Sequence, residues 1–474
     1  VRLTNDLTDR ETAEKLYYLS PHVRSRIMEF CGCSGEGSGC TARFLVGNGH
    51  TVLGYGIPGK EDIRETAQMG QILDEGRDIF RSLWDREYLM ASLDLDYQNE
   101  DYADEAFYNP GAAFGKLEPV FACIGRILRG YGVGYLAVMT GQGYHLSWKI
   151  SQDSLVHEKL ENLAGWPPSL LAKYRHDHPL TPETIPLAKG KAHSGLGMLL
   201  EFLTFKILAE CSAMAGIPVV FTGLPVGNQN VGRESISVDL SAHGDPLYLR
   251  YFRCAFSLYH KFDGSAGVGP LICLPRFEEP LAEMLERRKS LLEAARLAAR
   301  TAAAIPDSTA GSTRILEEYL SSPLRQIHEH FYSGWHDDPR DWGLLYDRLN
   351  LSEFSPCVAR PLSYPNDALL KPANIQNVTR VLVSQGWHPR SVAGLIRSRY
   401  ERDHHWGINW MLYDAANRAD FYVRSFYAMA AVGVDDLRDF NCVSHQEKGY
   451  CPQPWCGHNL ADYRDRLKEI LPRK

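Results

Sequence analysis

What this chain has little of narrows it first. No stretch approaches the roughly 18 consecutive apolar residues that span a bilayer, so no membrane-embedded segment is expected. No signal-like apolar run opens the chain, which begins "VRLTNDLTDRETAEKL" without an initiator methionine, and the expected compartment is the cytoplasm. Positive charge is in deficit. A net charge of −7 excludes a globally basic nucleic-acid binder and leaves any such surface to a local patch. There is no internal repeat and no long low-complexity tract, so neither a solenoid nor a disordered scaffold is expected. Paired C-x2-C hairpins, the common signature of structural zinc, are missing as well.

Cysteine is not scarce. In a cytoplasmic chain the 11 cysteines are not expected to form disulfides, and where they cluster they suggest metal. Cys31, Cys33 and Cys40 form one group; Cys357, Cys442, Cys451 and Cys456 form another. Cys123, Cys211, Cys254 and Cys273 are scattered and read as small buried hydrophobes.

A length of 474 residues at ordinary globular composition suggests two to four domains of about 150 residues each. The expected fold is mixed α/β (α+β). Residues 1–275 form a catalytic domain with mixed and antiparallel sheets, 276–314 a helical connector and linker, and 315–474 a mainly α-helical domain. Within these, a helical stretch lies near 61–84, and "YLAVMTGQGYHLSWKIS" gives two strands around a Gly-Gln-Gly turn. "ESISVDLSAHGDPLYLRYF" reads as a hairpin turning at His243-Gly244-Asp245-Pro246, and "DSTAGSTR" as a linker.

Three stretches of the first domain carry candidate chemistry. In "SLDLDYQNED", Leu89, Ala91, Leu93 and Leu95 alternate with Ser92, Asp94 and Asp96, so the two aspartates share one face of a strand. Neighbouring carboxylates repel unless a cation or proton lies between them. The alternatives are a divalent metal site and a strand running out into a solvated acidic loop with Glu100, Asp101, Asp104 and Glu105. In "TGQGYHLSWKI", glycines at 141 and 143 let backbone approach a ligand, and His145 beside them suits a phosphate oxygen; a hairpin with a surface histidine is the plainer account. A third aspartate, Asp239, sits on another alternating strand. After it come Arg253, Ser257 and Lys261, spaced four apart, as a phosphate clamp or a solvated loop.

In this order, D-x-D, G-x-G-x-H, then a strand aspartate with R-x3-S-x3-K, residues 85–265 resemble the archaeo-eukaryotic primase superfamily. The resemblance implies a primase-type catalytic domain in which Asp94, Asp96 and Asp239 hold Mg²⁺ or Mn²⁺. It likewise implies that His145, Arg253, Ser257 and Lys261 contact the triphosphate of an incoming nucleotide.

In the last domain, "SPCVARPL" carries Cys357 and "NCVSHQEKGYCPQPWCGHNLADY" carries Cys442, Cys451 and Cys456. Four thiolates suit Zn²⁺ or an iron–sulfur cluster, and spacing alone does not choose between them. The arrangement, with Pro356 before the first cysteine and His458 and Tyr463 after the last, resembles the iron–sulfur domain of the archaeal and eukaryotic primase large subunit. That resemblance implies a 4Fe-4S cluster. Between these cysteines, residues 371–400 hold Lys371, Arg380, Arg390, Arg397 and Arg399 without one Asp or Glu, and Trp387, Tyr400, Trp406 and Trp410 are interleaved, with His404 and His405 nearby. Such a set suits single-stranded template or a primer 5′ end; the other reading is a helical bundle with aromatic core and solvated arginines. Cys31, Cys33 and Cys40, with His50, read as a zinc site or as a glycine-rich loop with free thiols.

The expectation is a DNA primase and polymerase in one chain, working on single-stranded DNA with nucleoside triphosphates, with a helicase or other replication or defence proteins as partners. A chain ending near residue 310 would then still extend a primer but not start one. The rivals are a repair or end-joining polymerase that extends without initiating, a D-x-D glycosyltransferase, and a nucleic-acid-binding replication or defence factor with a degenerate site.

Overall fold

Alternation over twelve residues makes the spine of the main sheet. A computed structural model describes residues 7–35, 39–48, 62–163, 165–166, 171, 186–227, 233–247, 250–259, 271–334, 338–363, 366, 368–402 and 414–471. Its strands are β1 (Phe44–Asn48), β2 (Asp62–Glu65), β3 (Asp78–Ser82), β4 (Tyr88–Asn99), β5 (Leu136–Met139), β6 (Gly143–Ser151), β7 (Val219–Phe221), β8 (Glu234–Asp239), β9 (Tyr251–Arg253), β10 (Leu258–Tyr259), β11 (Leu271–Ile272) and β12 (Leu274–Pro275). The main sheet runs β12-β5-β6-β4-β8-β7, antiparallel except where β7 joins β8. A second, antiparallel sheet runs β2-β1-β3-β9, and β10 pairs with β11. The protein is thus mixed α/β, with its C-terminal region helical.

On β4, Leu89, Ala91, Leu93 and Leu95 are fully buried, while Ser92, Asp94 and Asp96 are half-buried on the opposite face. The leucine face lies against two long helices, Pro110–Gly130 and Leu187–Cys211. The second of these is buried over most of its surface, with Ala209 and Glu210 exposed near its C-terminal end. The sheet covers one side of it and C-terminal helices the other.

Four local expectations are corrected. Residues 62–82 hold β2, a short helix Met69–Asp74 and β3 in place of one long helix; Gly76, in the left-handed region at φ 72°, closes the helix. After β8 the chain does not turn back as a hairpin. It makes a 3-10 turn, Ser241–Gly244, and crosses to the other sheet, where β9 pairs with β3. "DSTAGSTR" is no linker: it leads into a helix, Thr309–Leu320, with Asp307 accepting from Thr309 N at 2.9 Å just before it. Ser312 on that helix accepts from the buried Trp148 indole at 3.1 Å. Finally, two cysteine pairs are disulfides, Cys33–Cys40 and Cys123–Cys211. Packing of the two long helices brings the Cα atoms of Cys123 and Cys211 to 6.0 Å, a bridgeable separation.

One hydrophobic core runs through both halves of the chain, so the expected boundary near 314 does not separate one core from another. The helix Ala415–Ala431 is buried on nearly every side. It packs on the helices Pro372–Ser384 and Pro389–Tyr400 and also on the 3-10 turn behind Asp239. Phe421 and Phe426 of this helix meet Phe221 of β7, with ring centroids 6.3 and 6.1 Å apart.

Candidate active site

Strand register assembles the site. Asp94 lies at the centre of the sheet, directly opposite His145 on β6 and directly opposite Asp239 on β8. Three ionisable groups therefore stand in a row across three neighbouring strands, and Asp96 follows two residues along the same face. They line a cavity of about 280 Å³ with Ser92, Gln142 and Arg250, roofed by Phe80, Tyr251 and Tyr259.

The register depends on one glycine. Gly143 faces Asp96, and a Cβ there would sit 1.8 Å from Leu95 O. Its role is close approach to β4, not to a ligand. Gly141, expected in the same role, packs instead against the Tyr259 and Phe107 rings. The turn between β5 and β6 is held from below by buried Arg288, which donates to Thr140 O at 2.7 Å.

Directly opposed carboxylates destabilise a strand pair. The Asp239 carboxyl is accordingly pushed up, first by burial and then by Asp94, although it accepts from Ser241 N at 2.7 Å and Ser241 Oγ at 2.9 Å. Burial works against a charged His145, but Asp94 and then Asp96 outweigh it and hold the imidazole above its ordinary value. His145 Nε2 stands 3.1 Å from Asp94 Oδ1, and apart from that ion pair this buried oxygen has no partner. These carboxylates do not converge on one point as a closed three-ligand set, but a hard divalent cation prefers carboxylate oxygens and takes water and substrate phosphate as its other ligands, so such an acidic, half-buried face suits one that arrives with a nucleotide.

The basic side of the expected clamp is rearranged. Arg253 does border the cavity, but it is buried, paired with Asp78, donates to Leu258 O, and lies between the Phe80 and Tyr259 rings. Ser257 is corrected outright. Fully buried away from the cavity, its hydroxyl accepts from Ile79 N at 2.7 Å and pairs with the Tyr18 hydroxyl at 3.3 Å. Lys261 lies outside the described residues. The cation missed by sequence reasoning is Arg250, which borders the cavity with a buried Nε that has no partner. Its only signal was a place in a basic stretch, where nothing ranked it above Arg253.

The C-terminal cysteines come from segments distant in sequence that pack near one another. Cys357 opens the helix Pro356–Ser363, and Cys442 opens the helix Cys442–Glu447. Cys442 Sγ and Cys456 Sγ both approach His458 O, at 3.9 and 4.0 Å, and Leu460 N donates to Cys442 Sγ at 3.3 Å. The Cys357 thiol is pushed up by burial, and Cys451 and Cys442 add to that by charge repulsion, so those sulfurs are within electrostatic reach of one another. His458 Nδ1 lies 3.1 Å from the Tyr463 hydroxyl, which feels Cys357 and Cys456. Among the described residues no three His, Cys, Asp or Glu side chains stand close enough to clasp a single metal ion. A cluster asks for something wider, because each thiolate binds a different iron and the cube occupies the space between them. Four soft thiolates converging from distant segments suit that group.

The N-terminal thiols do not share a site. Cys33 and Cys40 are bonded to each other, and Cys31 Sγ faces Cys254 Sγ at 3.5 Å, so a joint zinc site is not formed; His50 lies outside the described residues.

The arginine surface is also corrected. Arg380, Arg390 and Arg397 are only 5%, 2% and 2% exposed. Arg380 pairs with Asp435 and Asp439, Arg390 with Asp420, and Arg397 with Glu401. Arg399 donates to Tyr346 O and pairs with Asp347. Charges that bind a flexible strand must reach water; these anchor the helical bundle. Trp406, Trp410, His404 and His405 lie outside the described residues.

Among the described residues no helix is long and apolar enough to cross a membrane. Comparison with protein-family models, with curated proteins and with solved structures found no match.

Proposed function

We propose that the chain is a template-dependent nucleotidyltransferase that starts and extends primers on single-stranded DNA. The reading rests on the register that sets His145 and Asp239 on either side of Asp94, with Asp96 beside them and Arg250 at the rim of one cavity. Asp94, Asp96 and Asp239 would hold Mg²⁺ or Mn²⁺, which when bound activates a hydroxyl nucleophile and neutralises a pyrophosphate leaving group. His145, whose protonated form its acidic neighbours favour, donates to a phosphate oxygen. Arg250 offers a planar fork to the β- and γ-phosphates. The primer 3′-oxygen forms a bond to the α-phosphorus as the bond to pyrophosphate breaks, and its proton passes to water or a carboxylate. Aromatic rings of Phe80, Tyr251 and Tyr259 exclude water from the same space and provide faces for base or sugar.

The test is incubation of the pure protein with unprimed single-stranded DNA, Mn²⁺ or Mg²⁺ and labelled nucleotides. Labelled oligomers on unprimed template are expected. Extension of annealed primers alone would favour the repair-type polymerase, and no incorporation in either case would favour a nucleic-acid-binding factor.

A 4Fe-4S cluster on Cys357, Cys442, Cys451 and Cys456 belongs to the same proposal. Protein purified without oxygen should be brown and carry about four irons per chain. Cys451→Ser should be colourless, with the segment from Cys442 to Tyr463 exchanging its amide hydrogens faster. Wild-type protein with stoichiometric zinc and no iron would replace the cluster by a structural zinc.

A further inference from the structure

The loop that follows Asp239 is gripped from outside the site, by the helix Ala415–Ala431. Asp245 is wholly buried in this loop and stands between two arginines: one carboxylate oxygen accepts from Arg250 Nη2, and the other lies 3.5 Å from Arg418 Nη1. Arg250 also donates to Ser241 O at 3.2 Å, two residues beyond Asp239. Arg418 and Tyr422 are one turn apart on a single helix face. Burial pushes the Tyr422 hydroxyl up to about 12; Arg418 draws it back and Asp239 adds to the rise, so this face lies within electrostatic reach of the site. Contacts with the backbone reinforce the grip. Asn417 Nδ2 donates to His243 O at 3.4 Å, and a Cβ at Gly244 would come within 3.0 Å of the Phe421 ring.

Asp245 brings one negative charge against two guanidiniums, each facing a different oxygen, so the trio keeps a net positive charge beside the cavity. With Arg418 present, Asp245 divides its attraction, and Arg250 keeps some of its field for an anion in the cavity. Without Arg418 the Arg250–Asp245 pair, already in contact, would be neutral and would attract an anion in the cavity less.

We propose that Arg418 is a positioning residue for the nucleotide triphosphate, acting through Asp245 on Arg250, so that a helix of the C-terminal region tunes triphosphate affinity in the cavity of the α/β region. The proposal rests on the reading of that cavity as a nucleotide site.

The experiment is calorimetric titration of the full chain with tripolyphosphate in Mg²⁺, at fixed salt, for wild type and variants. Wild type should bind, and Arg250→Ala should weaken binding by about tenfold or more, as loss of a charge-assisted hydrogen bond does. Arg418→Met should weaken it severalfold, and Arg418→Lys, which keeps a cation against Asp245, should restore it to within about twofold. In primer extension the Met variant should show a raised nucleotide KM with kcat held. A merely structural Arg418 would lower the melting temperature without moving the affinity of the folded protein. Arg418→Gln replaces the Met variant if the latter does not fold. If Arg250→Ala weakens binding and Arg418→Met or Arg418→Gln does not, the coupling is overturned and the nucleotide reading stands. If wild type does not bind, or Arg250→Ala binds as wild type does, the nucleotide reading falls and the coupling falls with it.

Discussion

An Asp239→Asn protein should fold, bind template and lose nucleotide incorporation by about three orders of magnitude or more, as removal of a ligand from one coupled metal site does. It should also melt above the wild type when both are free of divalent metal. The cause of the second effect is the register. Asp239 and Asp94 are directly opposed, and burial together with that repulsion raises the Asp239 pKa. The folded state therefore holds its proton more tightly than the unfolded chain. Stability from this group is fully present below the ordinary carboxylate pKa and is lost as pH rises through the folded value. At neutral pH the wild type bears that loss, whereas an asparagine carries no charge and can still accept from Ser241 N. Added Mg²⁺ or Mn²⁺ should raise the melting temperature of the wild type and do so much less for the variant. Near-normal incorporation by a folded Asp239→Asn protein would remove Asp239 from the proposed metal site.

Arg424→Leu should cost about 3–5 kcal/mol of stability, the usual loss when one partner of a buried ion pair is removed. Glu201 has no exposure to water. Its Oε2 accepts from Arg424 Nη2 at 3.0 Å, Arg424 Nε at 3.1 Å and Ser425 Oγ at 2.9 Å, and its Oε1 lies 2.9 Å from His328 Nε2. Burial alone would raise the Glu201 pKa, but Arg424 and then His328 outweigh it and hold the carboxyl below its ordinary value. This stability is present above the ordinary carboxylate pKa and is lost as pH falls through the lower folded value, so the pair should contribute to acid unfolding. Glu201→Leu combined with Arg424→Leu should recover much of the loss, since no buried charge is then left alone. Denaturant unfolding of the two singles and the double measures the coupling, and additive losses would overturn it.

The same network alters what truncation can achieve. Glu201 belongs to a helix that packs under the main sheet, while Arg424, Ser425 and His328 come from the C-terminal region. A chain ending near residue 310 would strand Glu201 and uncover Phe221. Extension and initiation should therefore be lost together, contrary to the separable domains that the sequence suggests.

Period and order carried the sequence reading of the site. Alternation places Asp94 and Asp96 on one face of β4 and His145 on the polar face of β6, because strand facing depends only on residues two apart. Asp239 ends an alternating strand for the same reason. The D-x-D, His and Asp stretches meet in one cavity. Arg253 and Ser257 look equally suited to phosphate in sequence, yet one pairs with Asp78 and the other with Ile79 N, partners about 175 residues away.

Legible along the chain were the facing of each strand and the direction of its carboxylates and imidazole. These follow from local periodicity and from residue types with few other uses. Pairing was left to the packed fold. Residues 371–400 lack acids of their own, so their arginines read as free, but Arg380 finds Asp435 and Asp439, 55 and 59 residues further on. Cys31 takes Cys254 as its neighbour, while Cys33 takes Cys40. Asp245, hidden in an apparent hairpin turn, becomes the link between Arg250 and Arg418. A buried charge must find its opposite wherever the chain packs, and that is a property of the packing, with no trace in the spacing of neighbours along the chain.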